Sequence, residues 1–160
     1  MSRSPRGRRP RTPRRVVVDT SVWSLALRRR TGDLSAAERA AVLHWADLVR
    51  DGLAVLLGLV RQEVLTGVRS AGQFERLRGH LRGFDDEPLG PEDHERAAEI
   101  ANTCIAAGVA GSPADFLLCA VAGGRDLPLF TTDPDFERYA RHVPLRLHRP
   151  PGTGQMTRRE

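Results

Sequence analysis

The stretch Val16-Val17-Val18-Asp19-Thr20-Ser21-Val22-Trp23 decides the fold. Three β-branched residues in a row leave no polar face, so the run reads as a short strand buried on both sides, as strands of a parallel sheet are. Asp19 ends it and places a carboxylate at the strand's carboxyl end, where open parallel sheets bind ligands. Working outward, residues 53–57, 127–130 and 143–147 are further short apolar runs that read as strands. Helical text lies between them. Residues 35–51 open on a Ser35/Glu38 capping box. Residues 59–69 and 74–81 follow as helices separated by a glycine-containing joint. Pro91 opens a helix to residue 107 with Gly108 as its stop, and Ser112-Pro113 opens another through residue 122, ending at Gly123-Gly124. Residues 134–140 form a short last helix. Strands alternating with helices predict an α/β fold, a three-layer α/β/α sandwich around a mostly parallel sheet.

At 160 residues the chain has the size of one domain, and 40% hydrophobic residues supply a core without disulfides. No apolar run approaches the roughly 20 residues that span a bilayer. Cys104 and Cys119 both sit in apolar helical text and read as reduced core thiols of a cytoplasmic protein. Arg14-Arg15 precedes an apolar run as in an export signal. Asp19 interrupts that run, arginines at 28–30 follow it, and no small-residue cleavage site appears, so export is rejected. The net charge of +5 is unevenly placed. Residues 1–15 carry seven arginines and no acid, residues 148–160 carry three arginines against Glu160, and residues 16–147 are net −4. The expected division is a disordered Arg-rich tail at 1–15, a folded domain at 16–147 and a flexible tail at 148–160. All 25 basic residues are arginine, which excludes any mechanism that needs a lysine.

The acids carry the chemistry. Asp19 and Asp133 follow predicted strands, and Asp135 lies two residues beyond Asp133. Asp19 reads equally as a cap for the helix that follows. Glu63 borders the apolar stripe Val60, Val64 and Val68, where a solvated glutamate is the plain alternative. Asp115 is the one charge in an otherwise apolar helix, and Ser112-Pro113-Ala114-Asp115 also fits a capping box. Carboxylates converging in a partly buried pocket repel one another unless a cation neutralises them. Hard divalent cations, Mg²⁺ or Mn²⁺, are the natural answer, and carboxylates holding them support phosphodiester hydrolysis. The five histidines show no paired metal spacing, and no phosphate-binding loop is present.

Four segments together resemble the acidic motifs of PIN-domain ribonucleases, most nearly the VapC-type toxins of bacterial toxin–antitoxin modules. They are Val16 to Trp23 with Asp19, Gln62-Glu63-Val64-Leu65-Thr66-Gly67, Ala114-Asp115-Phe116-Leu117, and Phe130-Thr131-Thr132-Asp133-Pro134-Asp135-Phe136. The resemblance covers roughly residues 16–147. It implies a metal-dependent endoribonuclease, homodimeric and silenced by a cognate antitoxin protein. By position, Asp19 and Asp115 are then the principal Mg²⁺ ligands, Glu63 and Asp133 complete the acidic quartet, and Asp135 is a fifth acid. Ser21 and Thr131 match the polar positions that orient ligands or water. The Arg-rich extension and Pro134 depart from the pattern.

A phospho-receiver domain needs an acidic pair after the first strand and a late lysine, and a haloacid-dehalogenase-type phosphatase needs an aspartate where Ser21 stands. Neither fits. A nucleic-acid-binding protein using its Arg-rich arm, with the acids as caps, remains an alternative, as does a PIN-type nuclease of RNA processing that has no antitoxin. The arginines at 28–30 are candidates for contact with an RNA backbone.

Overall fold

Val16–Val18 form the central strand, β1, of a three-stranded parallel sheet in the computed structural model, which describes residues 14–151. Ala54–Val55 (β2) and Leu129–Phe130 (β3) flank it in the order β2-β1-β3. Val16 and Val17 pair with Ala54 and Val55, and Val17 and Val18 pair with Leu129 and Phe130. All three valines are buried, so neither face of β1 meets water. That is the three-layer arrangement expected of an uninterrupted apolar strand.

Among the described residues seven α-helices enclose this sheet: α1 (Thr20–Arg28), α2 (Ala36–Arg50), α3 (Gly58–Leu65), α4 (Ala71–Leu81), α5 (Pro91–Ala106), α6 (Pro113–Gly124) and α7 (Asp135–Tyr139). α6 packs on β1 and β3, α5 packs on α6, and α1 lies against both α2 and α3. Residues Phe116 through Ala122 of α6 are all buried, which explains a helix with almost no polar side chain. Trp23 locks α1 in place, with its ring edge-to-face on Trp45 of α2 at 5.2 Å and on Phe84 at 5.0 Å. Arg61 anchors α3 by donating to the carbonyls of Leu81 and Phe84, each at 2.7 Å, and to Asp86. None of the helices among the described residues is long and apolar enough to cross a membrane.

Local signals place most element ends. The Ser35/Glu38 capping box forms in both directions, at 2.7 and 3.2 Å. Gly108 follows α5 with φ of 74°, the left-handed stop that the glycine allows. Cys104 and Cys119 are free and buried.

Four readings need correction. α3 stops at Leu65, because the Thr66 hydroxyl donates back to the Gln62 carbonyl at 2.8 Å and Gly67 turns the chain at φ 76°. Val68 therefore lies beyond the helix. α4 begins three residues early, at Ala71, with Ser70 as its cap. α6 runs through Gly123 and Gly124, which serve close packing. A Cβ on Gly123 would lie 2.8 Å from the Pro144 carbonyl oxygen, and one on Gly124 would lie 2.6 Å from the Arg96 guanidinium. The strand predicted at 143–147 shrinks to one bridge between Leu129 and Leu147. Pro144 has no N–H to give to a ladder, so pairing starts beyond it. There the Leu129 amide donates to Arg146 at 2.8 Å and the His148 amide to Leu129 at 2.7 Å.

Most of both expected tails, residues 1–13 and 152–160, lies outside the described residues. Arg14 pairs with Asp126 at 3.3 Å and Arg15 with Glu87. His148 stacks on His44 with the two Nε2 atoms 2.6 Å apart, and Arg149 pairs with Glu137.

Candidate active site

The acids that the sequence singles out come from the carboxyl ends of β1 and β3, from the amino ends of α6 and α7, and, for Glu63, from α3. Asp19 is 5% exposed and caps α1. Its amide donates to the Phe130 carbonyl at 2.9 Å, so the sheet itself fixes the backbone beneath the carboxylate. Three donors meet on its Oδ2: the Ser21 hydroxyl at 2.7 Å, the Thr131 hydroxyl at 2.8 Å and the Ser21 amide at 3.3 Å. Each hydroxyl also accepts from backbone, Ser21 from the Thr132 amide at 3.0 Å and Thr131 from the Asp133 amide at 2.9 Å. A hydroxyl has one proton to give, and both are committed to Asp19. Burial pushes the Asp19 carboxyl above its ordinary value, and the Ser21 and Thr131 bonds offset part of that rise.

The other acids are held one by one. The Thr20 hydroxyl, one residue from Asp19, donates to Glu63 on α3. Asp115 closes the predicted capping box, with both bonds to Ser112 at 3.1 Å, and its Oδ2 also accepts from the Tyr139 hydroxyl at 3.1 Å. Asp133 accepts from the Asp135 amide at 2.9 Å. Asp135 pairs with Arg138 at 3.2 Å on the exposed side of α7.

Two buried neutral groups feel the charge of four of these acids, with Asp115 acting on both. Burial raises the Tyr139 phenol, and the charges of Asp115, Asp135 and Asp133 add to the rise. Burial likewise raises the Cys119 thiol, followed by Asp115, Cys104 and Asp19. Asp19 and Asp115 thus act on one thiol, while Asp115, Asp133 and Asp135 act on one phenol. Even so, among the described residues no three acid, histidine or cysteine side chains stand close enough to chelate one ion. Each acid is turned toward its own donor, which relieves the repulsion that a tighter cluster would carry.

The donor set still fits a hard divalent cation. Every polar side chain around Asp19 and Asp115 offers oxygen, and Mg²⁺ is commonly held by one or two carboxylates with water completing the shell. The side-chain bonds to Asp19 and Asp115 end on Oδ2 in both residues, so in both Oδ1 carries none of them. Ser21, which binds Asp19, also lines a cleft of about 530 Å³ together with Ser24, Arg29, Glu38 and Thr132. Of the arginines at 28–30, Arg29 lines this cleft, whereas Arg28 donates to the Thr66 carbonyl at 3.3 Å.

Sequence reasoning missed the roles of Thr20 and Tyr139. Thr20 was in plain view beside Asp19. Tyr139 gave one usable signal, its spacing of three from Phe136, which puts both on the buried face of α7.

The chain matches the PIN domain family over residues 16–142. No curated protein matches it in sequence. Its fold is similar to that of FitAcB from Neisseria gonorrhoeae, with a TM-score of 0.65 and 18% identity over 84% of this chain and 97% of that one. It is also similar to VapBC2 from Rickettsia felis, solved bound to a DNA fragment from its promoter, with a TM-score of 0.63 and 14% identity over 83% and 96%. VapBC-5 from Mycobacterium tuberculosis, a member of the VapBC family of toxin–antitoxin systems, has a TM-score of 0.59 and 15% identity over 86% and 99%.

Proposed function

Because the chain belongs to the PIN domain family, we propose that it is a divalent-metal-dependent endoribonuclease and the toxin of a toxin–antitoxin module. The observation that carries this reading is the set of oxygen donors at the ends of β1, β3 and α6, with Ser21, which binds Asp19, also lining a cleft of about 530 Å³.

Asp19 and Asp115 would hold Mg²⁺ or Mn²⁺. When bound, such an ion lowers the pKa of water and offsets charge on a phosphodiester. The remaining work falls to the chain's own groups. Ser21 and Thr131 hold Asp19 in one rotamer and keep its carboxylate an acceptor. Thr20 keeps Glu63 within reach of the same pocket. Asp133 and Asp135 add negative potential on the far side, which favours the cation over the bare cluster. Arg29 offers a fixed positive charge to an RNA phosphate entering the cleft.

The toxin assignment draws on the fold shared with VapBC and FitAcB complexes. An antitoxin suited to this pocket presents an arginine or lysine, because a guanidinium matches carboxylates in a bidentate fashion. We place the protein in the cytoplasm as a homodimer, with the apolar groove bordered by Leu59, Ala101, Ile105 and Phe116 as a face that a second copy would cover.

Purified protein is expected to cut RNA internally in Mg²⁺ or Mn²⁺ and to stop when EDTA removes the metal. Adding the product of a small open reading frame beside its gene, which the toxin reading expects, should abolish cutting. Cleavage that is indifferent to EDTA, or RNA binding with no cleavage under any divalent metal, would refute the nuclease reading. Cleavage that the neighbouring product leaves untouched would refute the toxin reading alone.

A further inference from the structure

We infer that Tyr139 is the positioning residue for Asp115, its hydroxyl fixing that carboxylate in the orientation in which it takes a divalent cation. The inference rests on the assignment of Asp115 as a metal-binding acid. It goes beyond that assignment by naming a residue outside the acidic motifs, 24 positions away in the chain.

Three observations converge. Tyr139 has no exposed surface, yet its hydroxyl reaches the partly buried Asp115 at 3.1 Å. Its ring cannot drift, because Phe116 and Phe136 each pack against it at 5.4 Å, the second edge-to-face. The backbone closes over the same spot. A Cβ at Gly111 would stand 2.6 Å from the Tyr139 hydroxyl oxygen and 2.7 Å from the Phe116 ring. A rigid donor is therefore pressed onto one oxygen of a carboxylate that lies at the start of α6. That oxygen, Oδ2, also accepts from the Ser112 amide. Two donors on one oxygen restrict rotation of the carboxylate and leave Oδ1 without either of them. Ser112 alone would fix one contact and leave rotation about it. Partners that orient metal-binding side chains in this manner typically control affinity by about 10- to 100-fold.

The test measures Mn²⁺ binding to the full chain without RNA, by water-proton relaxation, in wild type, Tyr139→Phe, Gly111→Ala and Asp115→Asn. Tyr139→Phe keeps the ring and removes only the donor, and it is expected to weaken Mn²⁺ binding about tenfold or more. Gly111→Ala displaces the hydroxyl from the other side and should weaken binding in the same direction, which keeps the test decisive if one variant folds poorly. Leu48→Ala, a core truncation on α2, should leave affinity unchanged below its own melting temperature. In RNA cleavage, saturating Mn²⁺ should return most of the kcat of Tyr139→Phe, since the defect lies in holding the ion.

Tyr139→Phe binding Mn²⁺ within about twofold of wild type, while Asp115→Asn binds at least tenfold more weakly, would overturn the positioning role and leave the metal assignment standing. Asp115→Asn binding as wild type does would remove the metal assignment and this inference with it. Equal weakening in Leu48→Ala and Tyr139→Phe would reduce the effect to general loosening and also overturn the inference.

Discussion

Asp19→Asn and Asp115→Asn should each lower Mg²⁺-dependent RNA cleavage by at least about 100-fold, which corresponds to about 2.7 kcal/mol or more in the barrier. Both changes keep the shape of the side chain and remove a negative charge. At Asp19 the amide oxygen can take the place of Oδ2 and keep the Ser21 and Thr131 bonds, so the fold should survive. The lost activity then reports on charge. Asp135→Asn is the contrast. Asp135 points to the exposed face of α7 and pairs with Arg138, and its neutralisation should cost less than about tenfold. Initial rates on a labelled RNA, with circular dichroism to confirm folding, decide the matter. Full activity in Asp19→Asn or Asp115→Asn is incompatible with the proposed site.

Trp23→Ala should cause the largest loss of stability, about 3–5 kcal/mol. The side chain is completely buried and contributes to two aromatic contacts that fix α1 against α2 and against the segment after α4. A chain of this size loses about 2–4 °C in melting temperature per kcal/mol. The expected fall is therefore on the order of 6–20 °C. Trp23→Phe should cost much less, because the indole N–H finds no acceptor among the described residues and its removal takes away a buried donor without a partner. A Trp23→Ala melt within about 2 °C of wild type would mean that the contacts between α1 and its neighbours do not hold the site's scaffold.

Local signals in the sequence were reliable where one residue type determines one feature. Three β-branched residues yielded β1, and Ser35 with Glu38 yielded the start of α2. The apolar run after Ser112-Pro113 yielded the buried α6. Features set by distant neighbours were not legible. Gly123 and Gly124 read as a helix stop, yet they are glycines because Pro144 and Arg96 approach them across the fold. The run at 143–147 has strand composition, but Pro144 within it defeats the ladder. The same division holds for the site. Spacing alone identified Asp19, Asp115 and Asp133 as acids at element ends, and it also identified Ser112 as the capping partner of Asp115. It could not show that each acid would be turned to a separate donor, nor that Tyr139 would return from α7 to Asp115. Those contacts depend on how α6, α7 and the sheet assemble.

Thermal melting of wild type, Asp19→Asn and Asp115→Asn, each with and without Mg²⁺, tests most directly whether the acids form a cation site. The Asp19 carboxyl lies above its ordinary value, chiefly because it is buried. A carboxyl whose folded value exceeds the unfolded value of about 3.9 binds protons more tightly in the folded state. Stability is then lost as pH rises through that window, and the deficit persists at neutral pH. Removing the charge should therefore raise metal-free stability at pH 7, by about 1 kcal/mol or 2–4 °C. Mg²⁺ that binds only the folded state should raise the melting temperature of wild type, and that rise should shrink in both variants. The predicted result is an Asp19→Asn protein that melts at or above the wild-type temperature without metal and responds less to Mg²⁺. A variant that melts lower without metal and keeps the full Mg²⁺ response would contradict the account and leave these aspartates as helix caps alone.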